Sequence, residues 1–215
     1  MTGAGDTDAA GSVVGIILAG GASRRMESPK QLLPFRGRPM LEQVARLAAR
    51  TVPGGLVVVL GHAARRIRAV VDLPAGAVVV VNPDHASGQA SSLRTGLDAL
   101  GPSAAAALIL LVDQPELPAT AVRRVLKRYR ETGGPVVRAA YAGMPGHPVV
   151  LDRSIWPAVL GGADTDRGAG PVIARHPEWV VSADLDLPPP AEIDTPADYR
   201  ALRAREPAGP GGEDG

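Results

Sequence analysis

The sequence predicts a single three-layer α/β/α domain, in which helices cover both faces of a mostly parallel sheet. A chain of 215 residues with 45% hydrophobic side chains is long enough for one sizeable core and too short for two ordinary domains. Short runs of Val, Ile and Leu alternate with longer amphipathic segments, which is typical of parallel strands covered by helices. Glycine and proline lie one or two at a time between these runs and therefore indicate turns.

Seven apolar runs are predicted to be strands, and several are continuous Val, Ile and Leu sequences, as expected of strands buried on both faces. In an open α/β sheet ligands bind beyond the carboxyl ends of the strands, so the residues after each strand are candidates for a site. The predicted strands are Val13–Leu18, Leu56–Leu60, Ala77–Val81, Ala107–Val112, Pro135–Tyr141, Pro148–Leu151 and Trp179–Ala183.

Six amphipathic segments between the strands are predicted to be helices. The last has a clear start, because Thr195 is suited to the N-cap, Pro196 to the first helical position and Asp198 to the position three residues after the cap. The predicted helices are Pro39–Thr51, Ala63–Val71, Ser91–Leu100, Ala119–Thr132, Gly170–His176 and Pro196–Arg205.

The two ends of the chain are predicted to be disordered tails, 1–12 and 206–215, around a domain that spans 13–205. All five tail charges are acidic, so the domain carries 23 basic and 22 − 5 = 17 acidic side chains, a net charge of +6. This charge suits a small anionic substrate, and it is too modest and scattered to indicate a nucleic-acid partner.

Several classes of function are disfavoured by what the sequence lacks. With no cysteine there is no disulfide, thiolate metal site or cysteine nucleophile. The chain contains no GxxxxGK[ST], GxGxxG or GxSxG motif, and its four histidines lack the spacing of a zinc site. No leader-like segment or apolar run approaching 18 residues is present, so we expect a cytoplasmic protein with no membrane partner.

The first junction follows the strand that ends at Leu18. Gly20 and Gly21 allow backbone N–H groups to approach anionic oxygens, and Arg25 and Lys30 add positive charge to the same loop. The chain has 21 arginines and two lysines, so a lysine here favours a phosphate site over chance. The alternative is a solvated glycine-rich turn with incidental basic residues.

Two carboxylates are candidate metal ligands. Asp113 stands where a buried strand emerges, and Asp194 precedes the Thr195 cap. Mg²⁺ is commonly held by one or two carboxylates together with substrate phosphates. The alternatives are that Asp113 caps a turn and that Asp194 only interacts favourably with a helix dipole.

Two further junctions are polar. The segment 82–92 is rich in small residues and precedes a helix whose N-terminus is suited to ribose or phosphate oxygens, although an ordinary capped loop has the same composition. His147, in Gly146-His147-Pro148, is either a turn or core histidine or a catalytic base.

In this order the motifs resemble those of the MobA-like nucleotidyltransferases, and among them the molybdenum cofactor cytidylyltransferases, over about residues 13–200. The matching segments are Leu18-Ala19-Gly20-Gly21-x-Ser23-x-Arg25-Met26 with Lys30, Gln31-Leu32-Leu33-Pro34, Asn82-Pro83 with Gly88 and Ser91-Ser92-Leu93, Asp113-Gln114-Pro115, Gly146-His147-Pro148 and Asp194-Thr195-Pro196. One departure is Glu27, where the family usually has glycine after the methionine; its carboxylate either points away, touches the metal or weakens the assignment of this turn.

The resemblance implies a Rossmann-like sheet of the nucleotide-diphospho-sugar transferase (GT-A-like) type. It implies transfer of CMP from CTP, or of a nucleotide from another NTP, to the terminal phosphate of molybdopterin. The implied cofactor is Mg²⁺ or Mn²⁺, and the implied partner is a molybdoenzyme or its chaperone. The implied roles are nucleotide binding by Leu18, Ala19, Gly20, Gly21, Ser23, Arg25, Lys30, Asn82, Gly88, Ser91 and Ser92, catalysis by Arg25, Lys30 and Asp113, metal binding by Asp113 and Asp194, and acceptor binding by His147, Asp166 and Arg167.

Other functions stay open at this point. The same fold serves guanylyltransferases, sugar-phosphate nucleotidyltransferases and glycosyltransferases, and Asp164-x-Asp166 and Asp184-x-Asp186 superficially match the Asp-x-Asp metal motif of the last group. Neither pair follows the central strand, whereas Asp113 does. The alternative that is not an enzyme is a regulator that binds an NTP with Mg²⁺ and does not turn it over.

Overall fold

The computed structural model describes residues 12–162 and 168–206 and confirms the predicted fold class. Its strands are β1 (Ser12–Ala19), β2 (Pro34–Phe35), β3 (Arg38–Pro39), β4 (Leu56–Leu60), β5 (Val78–Val81), β6 (Ala104–Leu111), β7 (Val136–Tyr141), β8 (Met144–Asp152) and β9 (Val180–Leu185). Its α-helices are α1 (Met40–Thr51), α2 (Ala64–Val70), α3 (Gln89–Asp98), α4 (Ala119–Thr132), α5 (Trp156–Gly162), α6 (Gly170–Arg175) and α7 (Pro196–Ala204).

Seven strands form one sheet in the order β5-β4-β1-β6-β8-β7-β9. β8 pairs antiparallel with both of its neighbours, and the other pairings along the sheet are parallel. The carboxyl ends of the six parallel strands therefore meet at one edge, and β8 begins at that same edge. This arrangement brings the loops after β1 and β6 together with the first residues of β8.

The hydrophobic core lies on both faces of this sheet. One cluster packs α1 and α4 against side chains such as Ile17 and Leu110, and the other packs α3, α5 and α6 against side chains such as Ile16 and Ile109. Neighbouring residues of one strand point to opposite faces, so the continuous apolar runs are explained by burial on both sides.

A third, smaller cluster fixes the end of the chain. Phe35, Met40, Ile193 and Leu202 are all buried together, so the β2–β3 hairpin, the start of α1 and α7 form one unit. Ile193 immediately precedes Asp194, and its burial anchors the backbone at that carboxylate.

The structure differs from the predicted elements in several places. β6 begins at Ala104 and not at Ala107, and α3 begins at Gln89 and not at Ser91. The hairpin strands β2 and β3 have two residues each, too short for a sequence pattern. The helix α5 was not predicted, because Pro157 and two terminal glycines obscure a segment of seven residues whose Trp156 and Val159 are buried. β8 begins at Met144 and not at Pro148, because Met144 and Pro145 continue the pairing with β7.

The predicted tails fall mostly outside the described residues. Ser12 begins β1, and the carboxylate of Glu206 accepts a hydrogen bond from the backbone N of Arg36 at 2.7 Å. Among the described residues, no helix is long and apolar enough to cross a membrane.

Candidate active site

The loop after β1 is held in place by side chains of the loop itself. The amide Nε2 of Gln31 donates to the backbone oxygens of Ala19, at 2.6 Å, and Gly21, at 3.2 Å. The hydroxyl of Ser23 accepts a hydrogen bond from the backbone N of Lys30 at 3.1 Å. Gln31 was identified from the sequence only as part of a motif. Its structural role was missed because a single buried glutamine produces no periodic pattern of hydrophobic residues.

The two glycines of this loop serve different purposes. A Cβ at Gly20 would lie 2.7 Å from the hydroxyl of Ser92, which itself accepts a hydrogen bond from the side-chain amide of Asn82. A Cβ at Gly21 would meet no atom within 4 Å, and Gly21 lines a polar cavity. Gly20 is therefore required for packing, whereas Gly21 keeps open a space that a ligand can enter.

We expect Gly20→Ala and Gly21→Ala to separate stability from binding. Gly20→Ala overpacks the contact with Ser92 and is expected to lower the free energy of unfolding by about 1–3 kcal/mol. Gly21→Ala is expected to stay within about 0.5 kcal/mol of wild type and to weaken NTP binding. Urea denaturation and NTP titration of both variants check this, and a Gly21→Ala protein with unchanged NTP affinity would contradict it.

The carboxylates of Asp113 and Asp194 meet at the end of β6. The backbone N of Ile193 donates to the backbone oxygen of Asp113 at 2.9 Å, which lays the segment before α7 across the end of the strand. The predicted capping box is present, since Thr195 and Asp198 cap one another reciprocally. Asp198 also accepts a hydrogen bond from the backbone N of Asp194 at 3.1 Å, so the cap holds Asp194 as well as the helix.

Two cations hold this pair of carboxylates. The ammonium of Lys30 lies 3.4 Å from Asp113 Oδ2 and 2.5 Å from Asp194 Oδ1, and the guanidinium of Arg25 lies 3.1 Å from Asp194 Oδ2. The hydrogen bond from Lys30 lowers the pKa of Asp194. Burial raises the pKa of Asp113, and the charge of Lys30 opposes that rise. The structure thus brings together the four side chains predicted to bind metal and triphosphate.

The carboxylate pair suits a hard divalent cation. Asp113 Oδ1 is buried and has no hydrogen-bond partner, so one oxygen is left for another ligand. Within 12–162 and 168–206, no group of three or more His, Cys, Asp or Glu side chains could hold a metal. Two carboxylates completed by substrate phosphates are the usual arrangement for Mg²⁺, and Mn²⁺ accepts the same oxygen ligands.

A cavity of about 570 Å³ opens above these groups. It is lined by both carboxylates and, of the eleven predicted nucleotide-binding residues, by all except Ala19, Asn82 and Ser91. Arg24, Gln31, His85 and Gln89 also line it. The cavity has the positive charge and the size that a nucleoside triphosphate requires.

Asn82 lies behind the cavity wall and is buried. Its side-chain amide donates to the hydroxyls of Ser91, at 2.8 Å, and Ser92, at 3.1 Å, while its carbonyl accepts from the backbone N of Asp84 at 2.9 Å. These bonds tie the residue after β5 to the start of α3. Gly88, with φ 110°, allows the sharp turn into that helix.

A second cavity, of about 740 Å³, adjoins the first and shares Leu18 and Gln89 with it. His147, predicted for the acceptor side, lines this second cavity. Burial lowers the pKa of His147, with a smaller opposing effect of Asp113, so the imidazole is neutral at pH 7. Asp166 and Arg167 lie outside the described residues.

Two charged side chains of the second cavity were not predicted. Arg138 comes from β7, and Glu192 accepts a hydrogen bond from the side-chain amide of Gln114 at 3.1 Å. A lone arginine in an apolar predicted strand was the signal that could have identified Arg138.

The remaining acidic candidates lie elsewhere. Glu27 is exposed and lines neither cavity, so its carboxylate points away from the carboxylate pair. Asp184 and Asp186 are likewise exposed and line neither cavity, and Asp164 lies outside the described residues.

Comparison with known proteins agrees with this geometry. The family model described as the MobA-like NTP transferase domain matches residues 15–180. Nicotine blue oxidoreductase of Paenarthrobacter nicotinovorans is 38% identical over 185 residues, which cover 82% of this chain and 88% of that protein.

Two solved structures share the fold. A Mycobacterium tuberculosis Rv0371c homologue from Mycobacterium sp. strain JC1 is 31% identical, with a TM-score of 0.80 over 89% of this chain and 96% of that one. Rv0371c of Mycobacterium tuberculosis H37Rv in complex with manganese is 30% identical, with a TM-score of 0.76 over 91% of this chain and 100% of that one.

Together the fold and the site define an enzyme of the nucleotidyltransferase type. The chain belongs to the MobA-like NTP transferase family.

Proposed function

We propose that this chain transfers the CMP group of CTP to the terminal phosphate of a molybdopterin-type acceptor and releases pyrophosphate, with Mg²⁺ or Mn²⁺ as cofactor. The observation that carries the proposal is the placement of Asp113, Asp194, Lys30 and Arg25 beside a charged cavity that adjoins a more apolar one. The first cavity suits the triphosphate of the donor. The second suits a flat acceptor that enters from the other side.

The donor nucleotide is held by the loop after β1. Gly21 leaves its backbone accessible, and Gln31 fixes the carbonyls of Ala19 and Gly21, so the loop needs little reorganisation when phosphates bind. The side chain of Arg25 is 68% exposed and free to turn from Asp194 to a phosphate oxygen. The side chain of Lys30 is 13% exposed, and its ammonium supplies positive charge at the base of the cavity.

The carboxylates of Asp113 and Asp194 would hold the divalent cation, with Asp113 Oδ1 as a ligand that is already desolvated. When bound, this cation supplies positive charge beside the α-phosphate. The Rv0371c structure in complex with manganese supports a metal site in this family.

The reaction itself needs no covalent intermediate. A terminal phosphate oxygen of the acceptor forms a bond to the α-phosphorus of CTP, and the bond from that phosphorus to the bridging oxygen of pyrophosphate breaks in line. Pyrophosphate leaves with the electron pair. Because phosphate is already a nucleophile, Lys30 and Arg25 act by positioning and by neutralising charge, and no serine or cysteine nucleophile is required.

Pyrophosphate release from CTP, GTP, ATP and UTP, measured with anaerobic molybdopterin and Mg²⁺, tests this proposal. We expect release from CTP only when the acceptor is present. Asp184→Asn is the matched control, because this exposed carboxylate lies outside both cavities. Equal release from GTP would overturn the CTP assignment, and release from none of the four would favour a regulator that binds NTP without turnover.

The relative named nicotine blue oxidoreductase supplies a second candidate, an oxidoreductase reaction on nicotine blue. Its 38% identity over 82% of this chain is the observation that favours it. Reduction requires a hydride donor, so NADH or NADPH oxidation with nicotine blue and no NTP distinguishes the two functions.

For the first proposal, the cytoplasm is the proposed place of action, with a molybdoenzyme or its chaperone as the receiving partner.

A further inference from the structure

The second cavity contains a positive charge that the proposed transfer step does not use. Arg138 lines this cavity together with apolar side chains that include Ile109, Val149 and Leu151. Its Nε is buried and has no hydrogen-bond partner. Among the described residues, no carboxylate forms an ion pair with Arg138. A buried donor of this kind is costly when left unpaired, so a ligand that accepts from it binds favourably.

Arg138 lies at the end of the second cavity that is remote from the metal-binding carboxylates. In the sheet it is registered with Val149 of β8 and Ser182 of β9, and Val149 is registered with Ile109 of β6. β7 is two strands away from β6, a separation of about 10 Å. Arg138 therefore cannot serve the α-phosphate beside Asp113.

The chemistry of the guanidinium selects what binds there. Arginine only donates hydrogen bonds, and its planar fork fits a group with two acceptor atoms on one edge. In nucleic acids the same fork pairs with O6 and N7 of guanine. The carbonyl oxygen O4 of a 2-amino-4-oxopteridine has two lone pairs and can accept from both arms of the fork, also in a reduced pterin, where N5 carries a hydrogen. The apolar wall of the cavity suits the faces of the ring.

We propose that Arg138 is a specificity-determining residue that recognises the heterocycle of the acceptor, by donating hydrogen bonds from its guanidinium to the ring carbonyl of a 2-amino-4-oxopteridine. This inference rests on the acceptor class in the proposed function and adds the residue that selects it. Glu192, on the same cavity, offers a carboxylate to the N–H groups on the opposite edge of the ring.

Fluorescence titration with two pteridines, in the absence of nucleotide, tests the role of Arg138. Pterin carries the carbonyl, whereas 2,4-diaminopteridine presents an amino donor in its place. We expect the wild type to bind pterin about 5- to 150-fold more tightly than the diamino compound. Arg138→Met is expected to lose this preference. Arg65→Met is the control, because Arg65 is exposed on α2 and lines neither cavity, and it is expected to keep the preference.

Thermal unfolding of Arg138→Met establishes that the variant is folded, and Arg138→Lys provides a second test. The lysine keeps the charge without the fork, so the pterin preference is expected to fall in this variant too. Equal affinity for the two pteridines in the wild type, or an unchanged preference in Arg138→Met, would overturn the proposal. Displacement of pterin by millimolar inorganic phosphate, seen only when Arg138 is present, would assign the residue to an anion and would overturn it as well.

Failure of the role proposed for Arg138 can be distinguished from failure of the proposed function. Selective pterin binding that depends on Arg138, without pyrophosphate release from any NTP, would leave the role of Arg138 standing and contradict the transfer reaction. Release from CTP with a KM for molybdopterin that Arg138→Met does not change would support the reaction and contradict the role of Arg138.

Discussion

Asp113→Asn is expected to lower kcat for pyrophosphate release by on the order of 10³, as loss of a group that stabilises transition-state charge does elsewhere. The amide keeps the shape of the side chain. It removes the negative charge of a carboxyl group whose pKa is already raised by burial. We therefore expect the free energy of unfolding to stay within about 1 kcal/mol of wild type. Steady-state kinetics and urea denaturation of the same preparation measure both effects.

A metal-binding readout makes this prediction independent of turnover. Water proton relaxation with Mn²⁺ is expected to show binding to wild type and to the Asp184→Asn control, and weak or no binding to Asp113→Asn. Near-normal activity and normal Mn²⁺ binding in Asp113→Asn would place the metal site elsewhere.

Lys30→Met is expected to lower kcat/KM for CTP by about 10²–10³, because the triphosphate loses a charge contact. It is also expected to lower the free energy of unfolding by about 1–2 kcal/mol at pH 7, because two carboxylates lose their shared counterion. This loss of stability is smaller than the 3–5 kcal/mol that is lost when one partner of a fully buried ion pair is removed, because the side chain of Asp194 is 37% exposed. Lys30→Arg is the matched control that keeps the charge.

The pH dependence of this stability difference has a definite sign. Lys30 lowers the pKa of Asp194, so the stabilisation is present above the unfolded pKa of about 4 and is lost as the pH falls through the lower folded pKa. Wild type and Lys30→Met are therefore expected to differ most at neutral pH and to converge under acid. Saturating Mn²⁺ should raise Tm more in Lys30→Met than in wild type, because the metal replaces the missing charge. Equal gains in Tm would contradict replacement of the Lys30 charge by the metal.

The sheet could be predicted because burial on both faces leaves a direct trace in the sequence. The runs Leu56–Leu60 and Val136–Tyr141 are apolar at nearly every position, so their secondary structure can be predicted without knowledge of long-range contacts. The hairpin strands β2 and β3 depend on the packing of Phe35 against α7, which no local pattern contains.

The site could be predicted only in part, for a related reason. Loops at the carboxyl ends of parallel strands are expected to meet, which places Lys30 and Asp113 near one another. The approach of Asp194 depends on the bond from Ile193 to the end of β6, a contact between distant parts of the chain. The role of Gln31 depends on the contacts that bury it, which the sequence does not show, whereas Arg138 is visible in the sequence as a lone arginine in an apolar strand.

The central claim is that the α-phosphoryl group of CTP moves to a phosphate acceptor at the carboxylate pair. CTP labelled at the α-phosphorus, incubated with molybdopterin and Mg²⁺ or Mn²⁺, measures this directly. We predict that the label appears on the pterin product, one labelled phosphorus for each pyrophosphate released, and that Asp113→Asn abolishes the transfer. Label recovered as free CMP, or remaining in CTP while wild-type enzyme binds both substrates, would contradict the account.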